Sequence, residues 1–549
     1  MSTAVLDSQI TFEALSRGVS RAVSAAAEPA IFTGEALELI AQLHRQFEPR
    51  RQDLLAQRKL RQAAWDAGEV PTYLDRNSPM VTGDWKVADI PADLTRRRVE
   101  ITGPVNSTKM VINMLSRTAD GHRADCAMLD FEDSMKPSWK NVMDGVRNVI
   151  GAAEGNLSHV EPAKAGKPEK VYRLNHLDMP VVMVRARGLH LDESNLRVDD
   201  TSVSGGLLDL SLCVLHSARK FMALGKTPKF YIPKVEHHLE ARWWNDLFSA
   251  LERQLELPKS TLRATFLIET LPAAFQIEEI LYELREHAVG LNVGRWDKIF
   301  SDIKTLRAHA DRVMADRATI NLSRDWMANY ARRLIHICHS RGAFALGGMA
   351  AFTPGKDADK RQEQTNRVAA DKQQEADWGH DGCWVSHPYF IGTAMTAFPK
   401  QNQLDYKGDP NNKYPDLLPR SEGPKTLAGL RTNLRVGIAY LYGWQQDLGC
   451  IAWDDLMEDL ATLEISRAQV WQWLHHGVSL DDGSKVTEEL LRSLFNEELN
   501  LILKELGKHA MLREWVKAKE AAETLFLQRD FQEFLSLASD IVPAKTVVA

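Results

Sequence analysis

From Arg98 onward one texture repeats along the chain: a short apolar run, a few polar or glycine-bearing residues, then a segment with helical periodicity. Eight such runs stand out: 99–102 (VEIT), 127–130 (AMLD), 181–184 (VVMV), 230–232 (FYI), 266–268 (FLI), 288–291 (AVGL), 343–346 (AFAL) and 383–385 (CWV). Short continuous apolar runs suit strands buried on both faces, and strands joined through helices run parallel. The series predicts an α/β fold, a (β/α)8 barrel over residues 98–395. Residues 156–177 break the rhythm with Pro162, Lys164, Gly166 and Pro168 and read as an insertion.

The flanks differ. Residues 1–97 are polar and helix-rich, with apolar positions at Leu37, Ile40, Ala41 and Leu43 in one segment (35–46) and at Leu54, Leu55 and Leu60 in another (52–67). They predict a structural arm packed on the barrel and propose no chemistry. Residues 396–424 carry Pro399, Pro410, Pro415, Pro419 and Pro424 and read as a linker. Residues 425–549 turn helical in the stretches 426–448, 453–476, 487–507, 512–528 and 531–539, which predicts an all-helical C-terminal domain. Within 453–476, Asp459 lies three residues after Leu456 and four before Leu463, on the apolar face of the expected helix. A carboxylate there is costly unless it is paired or has a task. Desolvation raises its proton affinity, as a general base requires. The alternative is an aspartate bonded to a neighbouring loop.

Residues 265–306 form the most informative unit. The run 266–268 stops at Glu269, Pro272 suits the first turn of a helix, and Ile277, Ile280, Leu281 and Leu284 give that helix one apolar face. A second strand from Ala288 leads through Gly290 and Gly294 to Trp296 and Asp297. Glu269 and Asp297 thus follow the carboxyl ends of consecutive parallel strands, the edge where such folds bind ligands. Two carboxylates beside glycines that expose backbone amides suit Mg2+ and a small anion; the alternative is a pair of solvated loop acids. The other strand ends strengthen the metal reading, since they carry Asp130 to Ser134, Arg185 to His190, Pro233 to Glu236, Gly347 to Met349 and Ser386 to Pro388. Arg185 and Arg187 are candidates for an oxyanion, although one of them can be a structural ion pair. His190, His287 and His387 read as packing or loop histidines.

Composition narrows the classes. A chain of 549 residues implies several units. The net charge of -6, without a long basic run, argues against nucleic acid. Cys126, Cys213, Cys338, Cys383 and Cys450 are scattered, with no CxxC pair, which fits a reducing compartment better than zinc or disulfides. No stretch approaches the roughly 20 apolar residues of a membrane span. Asp7 and Glu13 interrupt the N-terminal region, and the final Thr-Val-Val-Ala is no peroxisomal address, so a cytoplasmic protein is expected.

Residues 285–297 (REHAVGLNVGRWD) resemble the signature of malate synthases, closest to the isoform A type. The likeness continues through 98–104 (RVEITGP), 130–134 (DFEDS), 185–190 (RARGLH), 266–272 (FLIETLP), 342–352 (GAFALGGMAAF) and 456–473, and covers nearly all of the chain after residue 85. One departure is Lys298, where the family pattern has tyrosine. The resemblance implies a TIM barrel with an N-terminal helical clasp and a C-terminal helical plug. It implies an acyltransferase that condenses acetyl-CoA with glyoxylate and water to give malate and CoA in the glyoxylate cycle, with Mg2+. It implies Glu269 and Asp297 as metal ligands, the backbone of Gly294, Arg295 and Trp296 facing the glyoxylate carboxylate, Arg185 beside the reacting oxygens and Asp459 as the base. Ser134 and Pro388 match positions lining the acetyl-CoA site. A base on a separate domain makes domain closure part of the expected cycle. A monomer or small homo-oligomer is expected, with neither nucleic acid nor membrane as partner. The rival readings are a malyl-CoA or citryl-CoA type lyase that leaves the thioester intact, and a non-catalytic binding protein on the same barrel.

Overall fold

The computed structural model describes residues 19–21, 28–164, 166–507 and 511–535. Eight parallel strands close into a barrel: β1 (Val99–Pro104), β2 (Cys126–Asp130), β3 (Val181–Arg185), β4 (Lys229–Ile232), β5 (Arg263–Ile268), β6 (Ala288–Val293), β7 (Phe344–Ala350) and β8 (Gly382–Val385). Each pairs with its neighbours in sequence, and β8 returns to β1. These are the runs marked in the sequence. They are legible because the strands are buried almost throughout, facing helices on one side and the barrel interior on the other. The interior is filled by Cys126, Met128, Met183, Tyr231, Leu267, Val289 and Trp384. Near its floor the buried Glu100 accepts from Arg97 Nε (2.7 Å) and Trp384 Nε1 (3.0 Å), so the barrel is a packed body and not a pore.

The insertion is an exposed antiparallel hairpin of Ser158–Glu161 with Lys170–Arg173. A second hairpin, Asp192–Val198 with Thr201–Ser204, follows β3 and was not marked by the sequence pattern. The arm differs from expectation in one respect. Its two segments form one continuous helix, Gly34–Asp66, that runs through Pro49. Proline normally breaks a helix, but here a long buried face (Leu37, Ile40, Leu43, Phe47, Leu54, Trp65) holds the helix against the barrel on both sides of it. Polar ties add to this. Arg51 Nε donates to the Leu189 carbonyl at 2.6 Å, and Arg58 donates to Glu240 and to the Lys234 carbonyl.

The C-terminal helices Leu427–Gln445, Leu460–His475, Glu488–Leu506 and Leu512–Phe526 pack around their own core of Leu434, Ile438, Trp473, Phe495 and Phe526. The stretch 453–476 is not one helix. Ile451–Trp453 and Leu456–Glu458 form a hairpin. Its two turn residues, Asp454 (φ +45) and Asp455 (φ +63), take the left-handed conformation that such two-residue turns require. Asp459 is therefore not on a helix face but is the N-cap of Leu460–His475. Of the expected helix 531–539, residues 531–535 are not helical and the remainder lies outside the described residues. The hairpin fixes the domain to the barrel: Met457 N donates to the Ala351 carbonyl (2.7 Å), Leu460 N to the Asp133 carbonyl (3.2 Å), and Arg317 pairs with Glu458. Among the described residues no helix is long and apolar enough to cross a membrane.

Candidate active site

The loops after the barrel strands and the plug hairpin enclose a cavity of about 750 Å3. Ser134, Arg185, Glu269, Gly294, Arg295, Trp296, Asp297, Pro388 and Asp459 all line it. The structure thus brings the candidate residues of the sequence to one place, from the ends of β2, β3, β5, β6 and β8 and from the plug.

The wall is built from charge. Asp130, at the end of β2, turns its own loop by accepting from the N–H of Glu132 (2.9 Å) and of Ser134 (3.0 Å). Arg185, at the end of β3, grips the same carboxylate twice, Nε to Oδ1 and Nη2 to Oδ2, each at 2.6 Å. Burial alone would raise the Asp130 carboxyl, but the guanidinium and the Ser134 hydroxyl hold it below its ordinary value. Arg185 Nη1 stands 3.6 Å from Glu132 and 3.7 Å from Asp133. Its ring-facing side lies over Trp384, 5.8 Å from the centroid. A guanidinium held so firmly is a fixed cation at the base of the cavity.

Glu269 follows β5 and accepts from the Lys234 N–H at 2.8 Å. Gly294 lies so close that a Cβ there would stand 2.5 Å from Glu269 Cβ and Oε2, so close approach, not backbone conformation, requires glycine. Asp297 sits in the first turn of Arg295–Thr305, the helix after β6. Lys234 Nζ reaches both oxygens of Asp133 (2.8 and 2.7 Å), Glu132 (3.1 Å) and Asp297 (3.3 Å).

Six carboxylates (Asp130, Glu132, Asp133, Glu269, Asp297, Asp459) share this buried region with two cations, Arg185 and Lys234. Lys234 Nζ is the near cation of Glu132 Oε1 and Asp297 Oδ1, while Glu132 Oε2 is buried without a hydrogen bond. Burial pushes the Glu269 and Asp297 carboxyls up; Lys234 opposes this and the neighbouring acids add to it. Six buried carboxylates facing two cations leave an excess of negative charge that suits a divalent cation. Among the described residues no three His, Cys, Asp or Glu side chains form a complete ligand group. Two carboxylates completed by water and substrate oxygens are the pattern of Mg2+ rather than of a protein-only cage.

Asp459 comes from the plug. Its Oδ1 accepts from Thr462 N (3.3 Å), and Thr462 Oγ1 accepts in turn from Asp459 N (3.0 Å). Burial raises its carboxyl to about 7, helped by Asp133 and opposed by Arg185. A carboxyl with that affinity is ionised in part at neutral pH and can take a proton from a weak acid.

The remaining candidates separate. Arg295 lines the cavity, but its guanidinium is engaged by Asp371 (2.7 and 2.9 Å) and the Met349 carbonyl (3.1 Å), which ties the start of the helix after β6 to β7 and to the helix Ala358–Trp378. Trp296 Nε1 is buried without a partner. Arg187 is turned into an ion pair with Asp209 and Glu193, away from the cavity. His287 bonds to Asn245 on the outside of the barrel, His190 packs on Phe534, and His387 caps the turn at Pro388–Phe390 beside the mouth. Lys234 was missed as a site residue by sequence reasoning, as were Glu132 and Asp133. They lie in strand-end motifs already marked, and the run of charged residues at the exits of β2 to β6 was the available signal.

Family models match along the chain: the malate synthase N-terminal domain at residues 21–77, the malate synthase TIM barrel domain at 181–416 and the malate synthase C-terminal domain at 424–540. The malate synthase of Myxococcus xanthus is 46% identical over 517 residues, 92% of this chain and 93% of that one. Malate synthase A of Escherichia coli is 43% identical over 488 residues, 88% of this chain and 89% of that one. The chain belongs to the malate synthase family. Against that family's pattern, Lys298 is accommodated locally: it is fully buried, pairs with Asp302 one turn along the helix and lies 5.5 Å from the centroid of the Tyr330 ring. The departure therefore leaves the malate synthase signature loop packed without an unpaired charge.

Proposed function

We propose that this chain catalyses the condensation of acetyl-CoA with glyoxylate and water to give malate and CoA. The observation that carries the reading is the meeting, in one cavity, of a fixed arginine and two buried acids from the barrel with a plug carboxylate whose proton affinity burial raises to about 7. Asp459 takes a proton from the thioester methyl. Arg185, clamped by Asp130, stands ready to stabilise the negative charge that then develops on the thioester oxygen. The methyl carbon forms its new bond to the aldehyde carbon of glyoxylate as the carbonyl π pair moves onto the aldehyde oxygen, which takes up a proton to become the malate hydroxyl. Water then adds to the thioester carbonyl and the C–S bond breaks, leaving a carboxylate and the CoA thiol. The backbone of Gly294, Arg295 and Trp296, at the N-terminal end of an 11-residue helix, faces the glyoxylate carboxylate. A divalent cation held by Glu269 and Asp297 would polarise the aldehyde for attack. Ser134, whose hydroxyl bonds to Asp130, and Pro388 at the mouth border the acetyl-CoA side. All five cysteines are free, which agrees with a reducing cytoplasm.

The test is release of free CoA from acetyl-CoA, with and without glyoxylate, Mg2+ and chelator, together with detection of malate. Release that requires both glyoxylate and metal is expected. Accumulation of malyl-CoA without free CoA would refute the synthase reading in favour of a lyase.

A further inference from the structure

Lys234, two residues beyond β4, has φ +53, a left-handed conformation that a side chain normally disfavours. Glycine would adopt the turn without strain, so the lysine needs a reason. The backbone around it is tied to four separate groups. Lys234 N–H donates to Glu269 Oε1 (2.8 Å), and its carbonyl accepts from Arg58 Nη2 (2.8 Å). The Val235 carbonyl accepts from Thr270 Oγ1 (2.7 Å), and Glu236 N–H donates to Glu240 Oε2 (2.8 Å). The same Glu240 carboxylate takes two bonds from Arg58, at 2.8 and 2.7 Å. Arg58 belongs to the N-terminal arm, and both it and Lys234 are almost wholly buried.

We propose that Lys234 is the positioning residue for Glu269 and Asp297, holding the first through its backbone amide and the second through its ammonium, and that Arg58 locks it in place. The N-terminal arm is then part of the active-site scaffold and not only a structural clasp. The inference rests on the reading of Glu269 and Asp297 as the metal-binding pair.

Charge alone does not account for this arrangement. An ammonium 3.3 Å from Asp297 repels an arriving divalent cation, so as a bare charge Lys234 weakens metal binding. As a spacer it strengthens binding, because two desolvated carboxylates repel each other and lose their common geometry when nothing holds them. The two roles have opposite signs. The contribution of Arg58 follows from its target, since the carbonyl it binds belongs to a residue that touches both acids.

The test is Mn2+ binding to the metal-free full-length protein, read from the free-ion electron paramagnetic resonance signal, with thermal denaturation of every variant. The variants are Lys234→Met, Arg58→Met, Arg58→Lys and, as a reference, Glu269→Gln. Lys234→Met is expected to lose about tenfold in Mn2+ affinity, the usual effect of removing a partner behind a metal ligand. Arg58→Met is expected to lose about threefold or more, with part of the loss recovered in Arg58→Lys, which can keep one bond to the carbonyl. Unchanged or tighter binding in Lys234→Met overturns positioning in favour of a simple counter-charge. A lower Tm with unchanged Mn2+ affinity in both Arg58 variants overturns the role of the arm. Should Lys234→Met fail to fold, the two Arg58 variants decide. A wild type without a Mn2+ site that Glu269→Gln removes overturns the metal reading, and the positioning role falls with it.

Discussion

Replacing Asp459 by asparagine is expected to abolish turnover while stabilising the fold at alkaline pH. The carboxyl titrates near 7 in the folded chain and near 3.9 when unfolded. A difference of about three units corresponds to roughly 4 kcal/mol, an upper figure because the site relaxes. The sign follows from proton counting. Between pH 4 and 7 the folded state holds a proton on Asp459 that the unfolded state has released, so stability falls as pH rises through that window. Below pH 4 both states are protonated and the contribution vanishes; above 7 both are ionised and the full penalty stands. Asparagine carries no charge, so the variant escapes the penalty. It also keeps the cap, because its side-chain oxygen can accept from Thr462 N–H as Asp459 Oδ1 does, and asparagine ranks with aspartate at N-cap positions.

Thermal denaturation of wild type and Asp459→Asn from pH 5 to pH 8.5 tests this. The variant should melt higher at pH 8.5, by about 2 °C for a chain of this length if half of the 4 kcal/mol is realised, and the gap should close toward pH 5. In the same preparations kcat should fall by at least about 10²–10⁴, the range for loss of a general base. The wild-type kcat should itself decline as pH drops through 7. A variant that melts below the wild type at pH 8.5, or in parallel with it at every pH, refutes the desolvation argument even if activity is lost.

Three further outcomes follow from the packing. Gly294→Ala places a methyl group 2.5 Å from Glu269 Cβ and Oε2, so the carboxylate must move; glyoxylate KM and Mn2+ Kd should each rise about tenfold, and wild-type values for both would show that Glu269 has no part in binding. Arg185→Lys keeps a charge but cannot reproduce the double bond to Asp130; kcat should drop by about 10²–10³, and a kcat near the wild type would remove Arg185 from the chemistry. Asp371→Asn weakens the hold on Arg295 and should raise glyoxylate KM with kcat largely kept, whereas an equal fall in kcat would place Arg295 in the reaction itself.

What could be read from the sequence, and what could not, divides along the range of the interactions. The barrel strands were legible because double-sided burial imposes continuous apolar runs, a signal contained within four to seven residues of each strand. The pair Glu269 and Asp297 was legible because chain order in a βαβ unit fixes which strand ends are neighbours. Spacing alone could not tell Arg185 from Arg187, and only the family resemblance favoured Arg185, since the difference is made by Asp209, on the helix Gly205–Ala223. The burial of Asp459 was anticipated through a helical spacing that does not exist. Leu456 belongs to a hairpin turned by Asp454 and Asp455, and what buries the carboxylate is the docking of that hairpin on the β2 and β7 loops.

The arm shows the same limit most clearly. Its residues propose no chemistry, and nothing local to Arg58 distinguishes it from the other basic residues of a charged helix. Its meaning depends on a left-handed turn 176 positions later and on a carboxylate 182 positions later. Pro49 points the same way. A chain that carries a proline through the middle of a 33-residue helix keeps the helix only because the barrel surface holds both halves, so fold and arm specify each other. Shortening the arm to its first half would leave Leu37, Ile40 and Leu43 in place but remove Arg58, and the barrel would then retain its core while the turn at Lys234 lost one of its four tethers. The chemistry of a barrel edge is thus set partly by an element that lies outside the barrel and precedes its first strand.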